Sequence, residues 1–157
     1  PLSLAKARML LQKGRVEDAL NIVKPLQIAM PRNAAVLDVL HHLYLAQKNW
    51  HALRDLFPQL RKAKVLSNQE VEELDIKLAM AALRQASVEA QQRLQAERLA
   101  HLQPVWKSFA RAVQKNPLVV YAYAQALVEN RQDEEAEIIL RKSLAQQWHH
   151  PSVDLYG

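Results

Sequence analysis

The sequence contains no cysteine and only two glycines, Gly14 and Gly157. Without cysteine the chain can form no disulfide, no thiol nucleophile and no thiolate zinc site. With so few glycines it has no glycine-rich loop to hold a phosphate and no strained turn to present a catalytic serine. These absences exclude several common classes of enzyme site.

Long apolar runs are missing as well. No stretch approaches the roughly 20 apolar residues that span a bilayer, and no signal-peptide pattern opens the chain. Because the chain begins at Pro1 rather than Met, we expect it to be a piece of a longer protein, with any membrane anchor outside it. Its 157 residues and net charge of +5 fit one domain or a short repeat array with a mild basic excess.

The residues that are abundant favour helices. Half of the chain is apolar, aromatic residues make up only 6%, and Ala, Leu, Gln and Glu are frequent. Apolar side chains recur at helical rather than alternating spacing, as in Leu4, Ala7, Leu10 and Leu11, then Val16, Ala19, Leu20 and Val23. The breaks between such segments are only a few residues long, which predicts antiparallel helix pairs.

Similar side chains return after 34 residues. The matched pairs are Ala7 with His41, Leu10 with Tyr44, Gly14 with Lys48, Ala19 with Leu53, Val23 with Phe57, and Leu26 with Leu60. A period of 34 residues built from two helices is typical of the tetratricopeptide repeat. We therefore predict an all-α fold, a right-handed superhelix of antiparallel helix pairs of the tetratricopeptide type.

A further match occurs at a shift of 117 residues, where Ala124, Leu127, Ala136 and Leu140 repeat Ala7, Leu10, Ala19 and Val23. This shift exceeds three periods by about 15 residues, roughly four helical turns. It predicts a single domain, 1–157, with units of about 1–33, 34–66, 67–116 and 117–150, the third enlarged by a long helix. The stretch 84–98 fits either a long, partly solvated helix or a flexible connection.

Local signals add detail to this plan. Ser67 and Glu70 have the spacing of a capping box at a helix start. Pro25 and Pro58 fall inside second helices, where each ring removes one helical hydrogen bond, so we predict a bend or an early end of both helices. The alternative is that each helix ends at the residue before the proline and a short turn follows. Apolar residues from 102 to 113 predict one buried closing helix that ends at Asn116-Pro117.

No group of side chains predicts catalysis or metal binding. Around His42 only Asp38 has a helical spacing suited to a shared ion, because the adjacent His41 points about 100° away. The acidic clusters at 70–75 and 133–137 suit the starts of helices, where they interact favourably with the helix dipole. We expect no enzyme activity, no metal site and no cofactor.

Nucleic acid is not an expected ligand either. Arg54, Arg61, Lys62 and Lys64 form one basic group, but a nucleic-acid surface needs a broader stripe with stacking aromatic side chains. Most aromatic residues fall at apolar repeat positions and are expected in the core. The basic group therefore predicts a solvated face.

The first helices of such arrays line a concave groove that binds a peptide or a partner helix. The repeat offsets place these residues in the groove: Leu4, Arg8, Leu11 and Gln12 in the first unit, Asp38, His42, Leu45 and Ala46 in the second, and Tyr121, Gln125, Val128 and Glu129 in the last. The alternative interpretation is that they are ordinary solvated positions.

The order of these elements resembles the soluble part of the HemY family, tetratricopeptide-type proteins of proteobacterial haem biosynthesis loci. The residues that carry the resemblance are 29–33, 40–44, Asn49-Trp50, Leu53, Leu56, Pro58, Leu60, 62–64, Trp106-Lys107, Ala136-Glu137 and 140–144. The Ala- and Gln-rich stretch 84–99 corresponds to the variable part.

The resemblance implies an inner-membrane protein whose two membrane spans precede this piece and whose repeats face the cytoplasm. It implies a scaffold or regulator of late protoporphyrin and haem synthesis, with pathway enzymes as partners and no catalytic residues. Two rivals remain: direct binding of haem or porphyrin, with His42 as a ligand beside Leu45 and Tyr121, and a generic assembly factor for envelope complexes.

Overall fold

A computed structural model describes residues 2–148, with side chains described up to Gln146. These residues form nine helices and no strand, which confirms the all-α fold class. The helices are α1 (Leu2–Gln12), α2 (Val16–Ala29), α3 (Ala34–Gln47), α4 (Trp50–Lys62), α5 (Asn68–Gln91), α6 (Gln95–Lys107), α7 (Arg111–Gln114), α8 (Pro117–Glu129) and α9 (Asp133–Trp148). The predicted end of the last unit, near 150, lies outside the described residues.

The chain divides into two compact units, and the division lies within α5, between Glu73 and Leu74. In the first unit α1 packs on α2 and α3, α2 packs on α3, and α3 packs on α4. In the second unit α6, α7 and α9 all pack on α8. The helix α8 is therefore the element around which the second unit is arranged.

The first unit has a core of small and aliphatic side chains, some of which lie at the repeated positions. Its fully buried members include Ala7, Ala19, Val23, Leu37, Leu40, Leu43, Leu53 and Leu60. Burying a Val or Leu side chain contributes about 1.5–3 kcal/mol relative to leaving it exposed. The repeat partners Ala19 and Leu53 are both inaccessible to solvent.

The core of the second unit joins α5, α6 and α8 through Leu83, Leu102, Val119, Leu127 and their neighbours. Trp106 stacks on Tyr123, with ring centroids 4.5 Å apart and planes 7° from parallel. Burial, together with the negative charge of Glu135, raises the pKa of Tyr123 to about 12. The phenol therefore stays neutral and serves as an apolar wall of this core.

The helix ends repeat as well as the core. Gly14, Lys48 and Arg131, separated by the same shifts of 34 and 117 residues, all have positive φ values, of 76°, 56° and 61°. After each of them the next backbone N–H donates to a carbonyl five residues back: Arg15 to Leu10 at 2.8 Å, Asn49 to Tyr44 at 3.0 Å, and Gln132 to Leu127 at 2.8 Å. This is the Schellman pattern that ends a helix and turns the chain into the next one.

The predicted capping box at the start of α5 is confirmed. The backbone N–H of Glu70 donates to Ser67 Oγ, and the backbone N–H of Ser67 donates to Glu70 Oε1, each at 3.1 Å. These contacts satisfy two N–H groups that a helix start leaves without internal acceptors. The hydrogen bond from the Ser67 backbone, then that with its hydroxyl, hold the pKa of Glu70 below its ordinary value of 4.5.

The two prolines do not end their helices, so the predicted early stop is wrong. Pro25 lies inside α2 and Pro58 inside α4, and both prolines are exposed. Buried side chains flank them, Val23 in α2 and Leu60 in α4, each inaccessible to solvent. Packing of these flanking residues on the core offsets the loss of one helical hydrogen bond.

The closing part of the enlarged unit differs from the sequence prediction. The stretch 84–98 is helical up to Gln91 and again from Gln95, so the helical interpretation holds for most of it. The single closing helix expected up to Asn116 is wrong, because α6 ends at Lys107 and the short α7 follows from Arg111.

Side-chain hydrogen bonds explain this break. Ser108 Oγ donates to the carbonyl of Val105 at 2.6 Å, and Gln114 Nε2 donates to the carbonyl of Trp106 at 2.9 Å. These donors satisfy carbonyls that helix continuation would otherwise have used. The chain therefore turns after α6 without leaving these acceptors unpaired.

The repeated helix end predicts that glycine is the more stable residue at two equivalent positions. Removing it at position 14 and introducing it at position 48 should therefore change stability in opposite directions. A Cβ at Gly14 would meet no atom within 4 Å, so Gly14→Ala should cost only the strain of the left-handed conformation, about 1 kcal/mol. Lys48→Gly removes that strain and should stabilise the chain by a smaller amount, because glycine also loses more backbone entropy. Urea denaturation measures both, and a loss of stability in Lys48→Gly would contradict this account.

The capping box predicts a specific pH dependence. Because the pKa of Glu70 is lowered in the folded chain, its stabilising effect is fully present above pH 4.5 and is lost as the pH falls through the lowered value. The difference in unfolding free energy between wild type and Glu70→Gln should therefore shrink on acidification. Urea denaturation between neutral and acid pH measures it, with the exposed Glu72→Gln as control, and a difference independent of pH would refute the prediction.

Candidate functional site

The predicted groove residues of α1 divide into buried and exposed positions. Leu4 is only 5% exposed and packs in the core, so its side chain offers no surface to a partner. Arg8 and Gln12 are exposed, and Leu11 is half-buried. The α1 contribution to a binding surface is therefore mainly polar.

The predicted residues of α3 are Asp38, His42, Leu45 and Ala46, which we call the α3 corner. Asp38 and Leu45 are half-buried, whereas His42 and Ala46 are exposed. The Nδ1 atom of His42 donates to the backbone carbonyl of Asp38 at 2.8 Å and lies 3.5 Å from Asp38 Oδ1. This bond fixes the ring over the preceding turn and leaves Nε2 as the ring atom that can accept a proton or a metal.

His41 also lies in the α3 corner, although the sequence analysis set this residue aside. Single donor atoms of Asp38, His41 and His42 lie within 4.8 Å of one another, and the two imidazole centroids are 4.8 Å apart. Two nitrogens bound to one zinc ion at 2.0–2.1 Å are at most about 4 Å apart. The cluster is therefore looser than a formed metal site, and it would need side-chain rotation to hold an ion.

The proposed haem ligand set falls in both units. His42 and Leu45 lie on α3 in the first unit, and Tyr121 lies on α8 in the second. The basic group of the sequence analysis lies in the first unit, and Arg54, Arg61, Lys62 and Lys64 are all exposed there. Arg61 lies over the ring of Phe57, 5.8 Å from its centroid, so part of this group covers an aromatic side chain.

The predicted residues of α8 are all exposed, and they share a face with one residue that the sequence analysis did not select. Leu118, Tyr121 and Val128 are 61%, 66% and 54% exposed, and Gln125 lies between them, also exposed. Their spacing of three, four and three residues places them in one row along the helix. We call Leu118, Tyr121, Gln125 and Val128 the α8 stripe.

The opposite face of α8 is buried in the core of the second unit. Val119, Tyr123, Ala126 and Leu127 are buried there. The helix α8 is therefore apolar on its buried face and also carries three large apolar side chains on its exposed face. The high apolar content of α8 was the signal in the sequence that could have pointed to Leu118.

Glu129, the last predicted residue of α8, belongs to a polar network that reaches the core. Ser87 Oγ on α5 donates to Glu129 Oε2 at 3.0 Å. Asn130, which is inaccessible to solvent, donates from Nδ2 to Ser87 Oγ at 3.0 Å and to the carbonyl of Ala126 at 2.8 Å. This network fixes the end of α8 against α5. Glu129 therefore contributes to the packing of these helices, although its side chain is exposed.

No known family model, no curated protein and no solved structure matches this chain. Among the described residues, no helix is both long enough and apolar enough to cross a bilayer. Functional assignment therefore depends on the chemistry of the chain's own side chains.

The buried network predicts a measurable coupling. Asn130→Ala should lower the unfolding free energy by about 1–3 kcal/mol, because it removes hydrogen bonds in a buried site. Ser87→Ala should cost less on its own, and the double variant should cost less than the sum of the two. Urea denaturation of the four proteins measures the coupling, and Ser108→Ala, which loses an exposed local hydrogen bond, is the control. Strict additivity would show that the two side chains do not interact.

Proposed function

We propose that this chain is a protein-interaction module of the tetratricopeptide type, and that the α8 stripe is the centre of its binding surface. The observation that carries the proposal is the row of three large apolar side chains, each more than half exposed, on one face of α8. Monomeric proteins expose single apolar residues commonly, but contiguous apolar patches mark interaction sites.

The repeated helix ends support the array. Gly14, Lys48 and Arg131 close the first helix of three helix pairs with the same backbone conformation. The proposed superhelix stacks these pairs in right-handed order, with the enlarged third unit formed by α5, α6 and α7. In such arrays the first helices supply the binding surface, and α8 is the first helix of the last pair.

The chemistry of the stripe indicates the kind of partner. Burying a large apolar side chain completely contributes about 1.5–3 kcal/mol, and tyrosine is enriched among the residues that dominate interface energies. The only charged residue of α8 is Glu129, at its end. The proposed occupant is a partner helix whose apolar residues recur every three or four positions and which carries a Lys or Arg opposite Glu129.

The partner proteins are proposed from the resemblance to the HemY family. On that basis the clients are enzymes of late protoporphyrin and haem synthesis, and the module acts as their scaffold or regulator without catalysing a step. In the full-length protein it would be held at the cytoplasmic face of the inner membrane by segments outside this chain.

A pull-down tests the binding surface. The chain, crosslinked to proteins of proteobacterial membranes, should recover enzymes of tetrapyrrole synthesis. Tyr121→Asp with Val128→Asp should reduce that recovery about tenfold or more, since a buried carboxylate without a partner opposes binding. Met9→Asp is the matched control, because Met9 on α1 is 56% exposed, close to the 54% of Val128.

Two outcomes would contradict the proposal. Equal recovery by wild type and the double variant, with equal melting temperatures, would remove the α8 stripe as the binding surface. Recovery of envelope proteins without any enzyme of tetrapyrrole synthesis would reject the pathway assignment in favour of the generic assembly factor.

A further inference from the structure

A cavity of about 380 Å³ opens in the second unit, away from the residues of the α8 stripe. Its lining includes Trp106 from α6, Arg111, Gln114 and Lys115 at α7, and Lys142 and Ser143 from α9. Three of these six side chains are cationic, and no carboxylate lines the cavity. Positive charge is therefore concentrated around this concave surface.

Among the described residues, the three cations Arg111, Lys115 and Lys142 have no carboxylate as an ion-pair partner. The neighbouring Arg141, in contrast, pairs with Glu137 one turn away. Like charges held around one cavity repel each other, and an anion bound among them would remove that cost.

Side-chain contacts hold one wall of the cavity in place. Trp106 is held by its stacking on Tyr123 and by an edge-to-face contact with Phe109, at a centroid distance of 6.2 Å. Gln114 uses its amide to donate to the Trp106 carbonyl, so it fixes α7 to α6. The cationic groups of α7 are thereby carried on a backbone whose position is set before any ligand arrives, which lowers the entropy cost of binding.

We propose that this cavity binds a phosphate-bearing anion with two adjacent phosphoryl groups. A guanidinium forms two parallel hydrogen bonds with phosphate oxygens, and lysine ammonium groups supply point charges around them. A pyrophosphate group carries enough negative charge to compensate all three cations, which a single carboxylate does not. The Ser143 hydroxyl can donate to a further phosphate oxygen, and Trp106 offers an apolar surface to an organic part of the ligand.

Both a soluble organic diphosphate and a lipid whose headgroup is a diphosphate carry this chemistry. The assignment does not depend on the partner proposed for the α8 stripe, because Tyr121 and Val128 are absent from the cavity lining. Variants of the cavity residues therefore leave the α8 stripe unchanged, and vesicle binding separates the two sources of the phosphate.

Calorimetric titration of the chain with inorganic pyrophosphate tests the proposal. We expect binding that weakens as salt is added, because the contacts are charge-assisted and exposed to screening. Arg111→Gln and Lys142→Gln should each weaken it about tenfold or more, the effect expected from loss of a hydrogen bond to a charged group. Lys77→Gln, an exposed cation of α5 outside the cavity, is the matched control and should bind like wild type.

Melting temperatures distinguish loss of the site from loss of the fold. Both glutamine variants should melt at or above the wild-type temperature without ligand, because each removes a repelling charge. At one pyrophosphate concentration, the rise in melting temperature should be larger for wild type and Lys77→Gln than for the two variants. Absence of pyrophosphate binding, or binding unchanged in both variants, would overturn the proposal.

Vesicles identify the source of the phosphate. Co-sedimentation with phosphatidylcholine vesicles that contain a polyprenyl diphosphate, compared with vesicles of phosphatidylcholine alone, reports headgroup binding. Pyrophosphate binding without co-sedimentation supports a soluble ligand. Co-sedimentation that pyrophosphate competes away, and that Arg111→Gln abolishes, supports a lipid headgroup at the same cavity. Co-sedimentation that Arg111→Gln and Lys142→Gln leave unchanged counts against the site.

Discussion

The three helix pairs α1–α2, α3–α4 and α8–α9 depend on how their first helix ends. The last carbonyls of a helix have no internal donors, and a left-handed residue lets the following N–H groups turn back and satisfy them. Gly14, Lys48 and Arg131 do this at equivalent positions. Because the turn is so short, the next helix starts beside the one just ended, and their apolar faces meet.

Much of this architecture could be predicted from sequence because its signals are local. The period of 34 residues identified Ala19 and Leu53, which are fully buried, and the spacing of Ser67 and Glu70 identified the capping box. The break after Lys107 could not be predicted, because it depends on hydrogen bonds from Ser108 and Gln114 to carbonyls that remain hidden until the chain folds. The early helix ends predicted at Pro25 and Pro58 were also wrong, because packing of each helix on the core outweighs the loss of one helical hydrogen bond.

The candidate sites were harder to predict than the fold. Tyr121 and Val128 were selected from repeat offsets and are exposed, but the same offsets selected Leu4, which is buried. His41 was set aside because neighbouring helical residues diverge, yet its ring contacts that of His42. The cavity cations come from α7, its C-terminal end and α9; Arg111 and Lys142 are about 30 positions apart, a spacing that no periodic pattern marks.

The buried contact between Ser87 and Asn130 has a consequence for how α8 sits on α5. Sliding either helix along the other by one turn, about 5.4 Å, would separate the Asn130 amide from the Ser87 hydroxyl and leave it only the Ala126 carbonyl of its own helix as an acceptor. Leucine and alanine side chains alone would tolerate several such offsets, because they pack without directional bonds. One polar pair therefore selects a single axial alignment of two otherwise interchangeable apolar surfaces.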